Sequence, residues 1–192
     1  MLFTSYEFFA LFSVVFVFYW SLYQVRRAQN IVLSIGSYVF YGYLNPYFCF
    51  LLLGSTVTDF ICGWAVSRTQ IFKKWWVFLS VFVNLTILGV FKYFNFFVEN
   101  IYSGLQGLGI APVTPWTLSV VVPVGISFYT FQSMSYTIDV YRGERKPTTN
   151  FLDFSLYVAF FPQLVAGPIE RARSLLVQVE NSRTFSLASI AW

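Results

Sequence analysis

The chain has 192 residues, of which 57% are hydrophobic, 22% aromatic and only 10% charged, with a formal net charge of +4. Soluble domains carry roughly 25% charged and about 45–50% apolar residues, so an apolar excess led by 24 Phe and 13 Tyr calls for a lipid solvent. Disorder, a disulfide scaffold and a nucleic-acid binder are excluded. So is an imidazole base from within these residues, because the chain contains no histidine.

Runs free of Asp, Glu, Lys and Arg predict an all-α polytopic membrane protein with about five transmembrane helices, each needing about 20 residues to cross the hydrocarbon core. The first span covers 5–23. It is no cleaved signal, since no basic residue precedes it and no small-residue cleavage site follows. A short helix at 31–44 and a longer one at 47–66 form an antiparallel pair around Asn45-Pro46, because proline disfavours helix at the residue before it. Cys49 and Cys62 share that longer helix, about 20 Å apart by helical rise, too far for a disulfide; they read as two buried thiols.

The fourth span covers 75–91. An interfacial helix near 94–103 and a loop over 100–116, rich in Gly and Pro, separate it from a fifth span at 118–138 that Pro123 and Gly125 should kink. The apolar stretch at 151–166 is too short for a crossing and suits a re-entrant or interfacial segment. After Glu170 the charges are mixed, and the sequence stops as another helix begins. The 192 residues therefore read as a single, incomplete membrane domain, truncated after residue 192.

Basic residues set the orientation. With alternating spans, Arg26, Arg27, Arg68, Lys73, Lys74, Arg142, Arg145 and Lys146 fall on one side and Lys92 on the other. The positive-inside rule makes the first side cytoplasmic and puts the N-terminus outside. The surplus of positive charge then faces anionic membrane lipid rather than nucleic acid.

Few side chains could carry chemistry. Asp59 is the carboxylate well inside a span, and Ser55, Thr56 and Gly63 share its helix face. That face is either a hydrogen-bonded packing surface or the lining of a polar cavity. The 118–138 helix, with Ser127, Thr130, Gln132, Ser133, Ser135 and Thr137, borders a water-filled cavity or serves as an interior bundle helix. Asp139 and Arg142 are spaced to pair across a helix turn. Gly167-Pro168-Ile-Glu170-Arg171 either turns the chain or bends backbone towards a polar group, with Arg171 as an anion contact.

Two strings are more specific: Pro123-Val-Gly-Ile-Ser-Phe-Tyr-Thr-Phe-Gln-Ser-Met-Ser-Tyr-Thr-Ile-Asp-Val-Tyr-Arg-Gly143 and Phe161-Pro-Gln-Leu-Val-Ala-Gly-Pro-Ile-Glu-Arg171. With Met1–Phe3, Ser37-Tyr-Val-Phe-Tyr41 and Gly89-Val-Phe-Lys-Tyr-Phe-Asn95, they resemble the membrane-bound O-acyltransferase family, in particular its alginate O-acetyltransferase group and D-alanyl-transferring relatives. The resemblance reaches from Met1 to about Arg173 and implies the first half of a helix ring around a funnel, in a bacterial inner membrane. An acyl group, acetyl in the alginate group, passes from a cytoplasmic thioester to an exported polysaccharide or envelope polymer, with secreted or periplasmic partner proteins completing the system.

No bound cofactor or metal is expected, since the thioester is a co-substrate. The family's catalytic histidine is implied to lie beyond residue 192, so no catalytic residue is assigned. The candidate funnel or substrate-lining residues are Asp59, Ser127, Gln132, Asp139, Tyr141, Arg142, Gly167, Pro168, Glu170 and Arg171. The alternatives are a non-catalytic scaffold or partner-binding subunit and a small transporter-like bundle with Asp59 as an ion site; against the last stands the lack of inverted half-repeats.

Overall fold

A computed structural model describes residues 4–43, 45–109, 117, 122–167 and 170–183, and every regular element among them is helical. Helix α1 (Tyr6–Ser21) opens on Ser5, whose Oγ accepts from the Phe8 amide at 3.3 Å. Helix α2 (Arg26–Gly42) lies against it, with Gly36 facing Val15 so closely that a Cβ would sit 2.6 Å from Val15 Cγ2. This helix starts earlier than the 31–44 expected from the sequence. The chain reverses over Leu22–Val25, and Arg26 and Arg27 open the helix instead of filling a loop.

Helix α3 (Tyr47–Arg68) runs antiparallel to α4 (Lys73–Leu88). A π-helical turn (Gly89–Tyr93) then leads straight into α5 (Phe94–Gly107), so Lys73–Gly107 is one rod of 35 residues. The expected span at 75–91, separate interfacial helix and loop from residue 100 are corrected here. A π turn shifts the register without ending a helix, and Gly104 costs only about 1 kcal/mol within one. The rod ends at Leu108–Gly109, where Gly109 takes a φ of 71°.

Helix α6 (Ile126–Arg142) begins well after the expected residue 118; residues 118–121 lie outside the described residues. Pro123 and Gly125 precede the helix instead of kinking it. Gly125 has a φ of 75°, and a Cβ there would lie 2.9 Å from the Leu164 carbonyl oxygen, so side chains are barred twice over. At the other end Gly143 is also left-handed, and the Glu144 amide donates to the Asp139 carbonyl at 3.0 Å, closing the last turn.

Helices α7 (Phe151–Ala159) and α8 (Phe161–Ala166) form a broken pair, and α9 (Leu175–Glu180) follows. Asp153 meets Arg26 and Asn30 near the start of α2, whereas the Phe161 amide meets Ser37 Oγ at 3.3 Å, further along it. The pair thus rises parallel to α2 and antiparallel to α6, reaching Gly125 at Leu164. The chain then returns: Ala172 and Glu180 bond Arg145, and Arg26 bonds the Glu180 carbonyl. Both ends of this excursion lie at one end of the bundle, which is the geometry of a re-entrant segment.

The bundle buries many polar side chains beside an apolar core of Leu52, Tyr136, Phe154 and Leu156, and its outside is apolar. Ser37, Ser55, Thr56, Asp59, Ser80, Asn84, Thr130 and Ser133 are fully buried, while Phe9, Phe16, Ile61, Phe78 and Phe82 are exposed. Water would not tolerate so much exposed apolar surface; this is a membrane protein. Tyr47–Arg68 and Lys73–Gly107 are long and apolar enough, by length and composition, to cross a bilayer, and Tyr6–Ser21 and Phe151–Leu164 are shorter apolar helices.

Candidate functional site

Asp59 sits where α3, α4 and α6 meet, with no exposed surface. Asn84 Nδ2 donates to its Oδ2 at 2.8 Å, Ser80 Oγ donates to Oδ1, and Thr137 Oγ1 approaches Oδ1 at 3.5 Å. Asn84 Oδ1 in turn accepts from Ser55 Oγ at 2.6 Å. Every polar group close to this carboxylate has a protein partner, which is what a low-dielectric interior demands. Of its neighbours at helical spacing, Ser55 joins the network, Thr56 donates to its own helix at the Leu52 carbonyl (2.7 Å), and Gly63 clears room for Tyr136.

A second group lines the re-entrant pair. Gln132 Nε2 donates to the Tyr157 carbonyl at 2.7 Å, near the end of α7, where the helix cannot satisfy its own acceptors. It also approaches Gln163 Oε1 at 3.4 Å. Tyr157 Oη lies within hydrogen-bond reach of the Gln132 and Glu170 carbonyls, at 3.1 and 3.3 Å. Gly167 is extended, with its Cα hydrogen where a Cβ would meet Gln163 Cγ at 2.7 Å. Gln132, Gly167 and Glu170 are therefore brought together; Pro168 lies outside the described residues.

A third group forms the basic end. Arg26 donates to Asp153 Oδ2 (2.9 Å) and to the Val179 and Glu180 carbonyls, capping α9 with a cation where its dipole is negative. Asn30 and Asn150 complete the Asp153 shell at 2.7 and 3.0 Å. Arg145 bridges the Ala172 carbonyl and Glu180 Oε2, each at 2.7 Å. Asp139 stands in the last turn of α6, and its Oδ2 is buried without a hydrogen-bond partner. The Asp139–Arg142 pair allowed by the sequence does not form: Arg142 turns outward to Glu144 at 3.9 Å, because the left-handed Gly143 folds Glu144 back beside it. Tyr141, Arg142 and Arg171 are exposed around this rim.

Ser127 lies apart from all three, in the first turn of α6, where it accepts from Lys92 Nζ at 2.8 Å. The nine candidates within the described residues thus divide among four places. Sequence reasoning missed Arg26, Asn30, Ser80, Asn84, Lys92, Arg145 and Gln163 as members of these clusters. The available signal was a polar side chain within an apolar helix, which Ser80, Asn84 and Gln163 all show. Among the described residues no three Cys, Asp or Glu side chains converge as a metal site would require.

No family model matches the chain, and no solved structure does. It is 41% identical, over 97% of its length, to a probable alginate O-acetylase of Pseudomonas syringae pv. tomato. It is 40% identical, over its whole length, to the probable alginate O-acetylase of Pseudomonas aeruginosa. A peptidoglycan O-acetyltransferase of Helicobacter pylori is 30% identical over 78% of the chain. That similarity, on a helical membrane protein, points to a family whose named members are O-acetylases. The chain belongs to the membrane-bound O-acyltransferases, on their alginate O-acetylase side, and spans 36% of the length of the two Pseudomonas relatives.

Proposed function

We propose that these residues form the half-ring of a membrane O-acyltransferase that carries the cytoplasmic rim and the re-entrant segment. Acetyl is the acyl group this reading favours, passing from a cytoplasmic thioester to a hydroxyl of an exported polysaccharide or envelope polymer. The observation that carries the reading is similarity along the whole chain to proteins named for O-acetylation of alginate. In this arrangement α1, α2, α3, the α4–α5 rod and α6 are the five crossings of a bacterial inner membrane. The N-terminus lies outside and the basic end in the cytoplasm.

The chemistry is an acyl substitution. The polymer oxygen bonds to the acyl carbon, the carbon–sulfur bond breaks, the thiolate leaves, and the hydroxyl proton passes to a base. With no histidine among the 192 residues, an imidazole base comes from outside them. Their share is placement: Asp139, Tyr141, Arg142 and Arg171 border the cytoplasmic mouth, Gln132, Gly167 and Glu170 belong to the re-entrant wall, and Asp59 and Ser127 hold the helices that frame it. Secreted partner proteins complete delivery to the polymer.

The test uses an alginate-producing strain deleted for its own O-acetylase. The 192-residue chain is expressed alone, and together with the remaining two-thirds of the Pseudomonas aeruginosa relative, and ester acetyl on secreted alginate is measured. Acetylation with both pieces and none with either alone is expected. Both pieces stable in the membrane without acetylation would favour a non-catalytic scaffold; acetylation by the chain alone would require a carboxylate base, with Asp139 the first to replace.

A further inference from the structure

Between α1 and the α7–α9 excursion lies a cleft of about 650 Å³ that none of the groups above uses. Its size falls in the range of ligand pockets, about 300–1,000 Å³. Much of its lining is aromatic, including Phe12, Phe16, Phe160 and Phe161. The mouth is polar and lies at the basic end, with Asn181, Ser182 and Arg183 opposite Tyr19 and Trp20 in the last turn of α1. Aromatic residues of this kind settle at the headgroup level of a bilayer.

Arg183 stacks on Tyr19, its guanidinium carbon 5.6 Å from the ring centroid. Its Nη1 is buried and has no hydrogen-bond partner, and among the described residues no acidic side chain lines the cleft. A guanidinium nitrogen shielded from water and left unpaired is costly. The charge it lacks is an anion, and the walls beyond it accept hydrocarbon.

We propose that this cleft binds an anionic glycerophospholipid, one acyl chain lying along Phe12, Phe16 and Phe161 and the phosphate meeting Arg183. Its assignment to the cytoplasmic leaflet rests on the orientation proposed above. Basic pockets between transmembrane helices on the cytoplasmic side are suited to such headgroups. A neutral, zwitterionic lipid would fill the apolar part equally well while presenting a choline or ethanolamine cation near Arg183, so the site discriminates by charge.

The 192-residue chain is purified in mild detergent, incubated with equal amounts of dioleoyl phosphatidylglycerol and dioleoyl phosphatidylcholine, and examined by native mass spectrometry. Wild-type protein should retain phosphatidylglycerol preferentially. Arg183→Ala should lower that preference about fivefold, the factor one basic residue contributes beside an anionic lipid, while Arg183→Lys keeps most of it. Val177→Trp, on the exposed side of α9 and lining the cleft, should reduce retention of both lipids. Lys146→Ala, an exposed cation at the same end, controls for bulk charge. Equal retention of the two lipids by wild type, an undiminished preference in Arg183→Ala, or an equal loss in Lys146→Ala would overturn the site. No turnover is measured, so failure of the acyl-transfer reading leaves this result standing, and the reverse holds.

Discussion

At the scale of single residues, Asp59 is decided by its partners. Replacing it with Leu leaves the Ser80 hydroxyl without its acceptor and the Asn84 amide with only its bond to the Ser80 carbonyl (2.9 Å); a buried donor left unpaired costs about 1–3 kcal/mol. Replacing it with Asn keeps the shape and one acceptor oxygen. We expect Asp59→Asn to retain a monodisperse detergent elution with a modestly lower unfolding temperature, and Asp59→Leu to lose most folded protein. If the Leu variant unfolds at a higher temperature than wild type, the network contributes no stability and burial of the carboxylate has another cause. Half of this arrangement was legible. Helical spacing put Ser55 and Gly63 on the Asp59 face, but Ser80 and Asn84 became partners only because α4 packs there. A sequence shows which face of a helix is polar, not which neighbour receives it.

At the scale of elements, the re-entrant pair shows how a short helix survives in an apolar interior. Residues Phe154 to Ala159 are almost entirely buried, so α7 has no water to satisfy its last carbonyls. Gln132 takes the Tyr157 carbonyl and Ser37 accepts from the Phe161 amide across the break at Phe160. Gln132→Leu should therefore destabilise the fold by about 1–3 kcal/mol, and Gln132→Glu should not restore it, since a carboxylate cannot donate. Thermal unfolding followed by fluorescence-detected elution measures both. Equal stability of Gln132→Leu and wild type would show that the carbonyl has found another donor.

The shortness of 151–166 and its Pro162 made a re-entrant reading possible from sequence. The π turn at Gly89–Tyr93 and the late start of α6 were illegible, because each depends on contacts from elsewhere in the chain. Gly125, for instance, takes its left-handed turn against the Leu164 carbonyl, 39 positions away by residue number.

At the scale of the molecule, orientation can be argued from geometry as well as from counting. Asp59 and Thr137 meet, and so do Ser55 and Ser133, which makes α3 and α6 parallel. Asp59 also meets Ser80 while Ser55 meets Asn84, which makes α4 antiparallel to both. Arg68, Lys73, Lys74 and Arg142 therefore share one end. The contacts of Arg26 and Arg145 with Glu180 bring α2, the α6–α7 connection and α9 to that same end, and with them Arg171, Arg173 and Arg183.

Lys92 stands at the other end, bonded to Ser127, about 28 Å along the rod from Lys73. That separation is close to the roughly 30 Å of a hydrocarbon core, as the proposed crossing requires. A rod of 35 residues is about 52 Å long, longer than one crossing needs, with Gly107 at the end remote from Lys73. Single cysteines at Gln70 and Gly107, in a background with Cys49→Ser and Cys62→Ala, report which end is outside. In intact spheroplasts an impermeant maleimide should label Gly107→Cys and leave Gln70→Cys unlabelled until the membrane is opened. The reverse pattern would invert the protein, put the basic rim on the outer face, and remove the cytoplasmic thioester from reach of Asp139, Arg142 and Arg171.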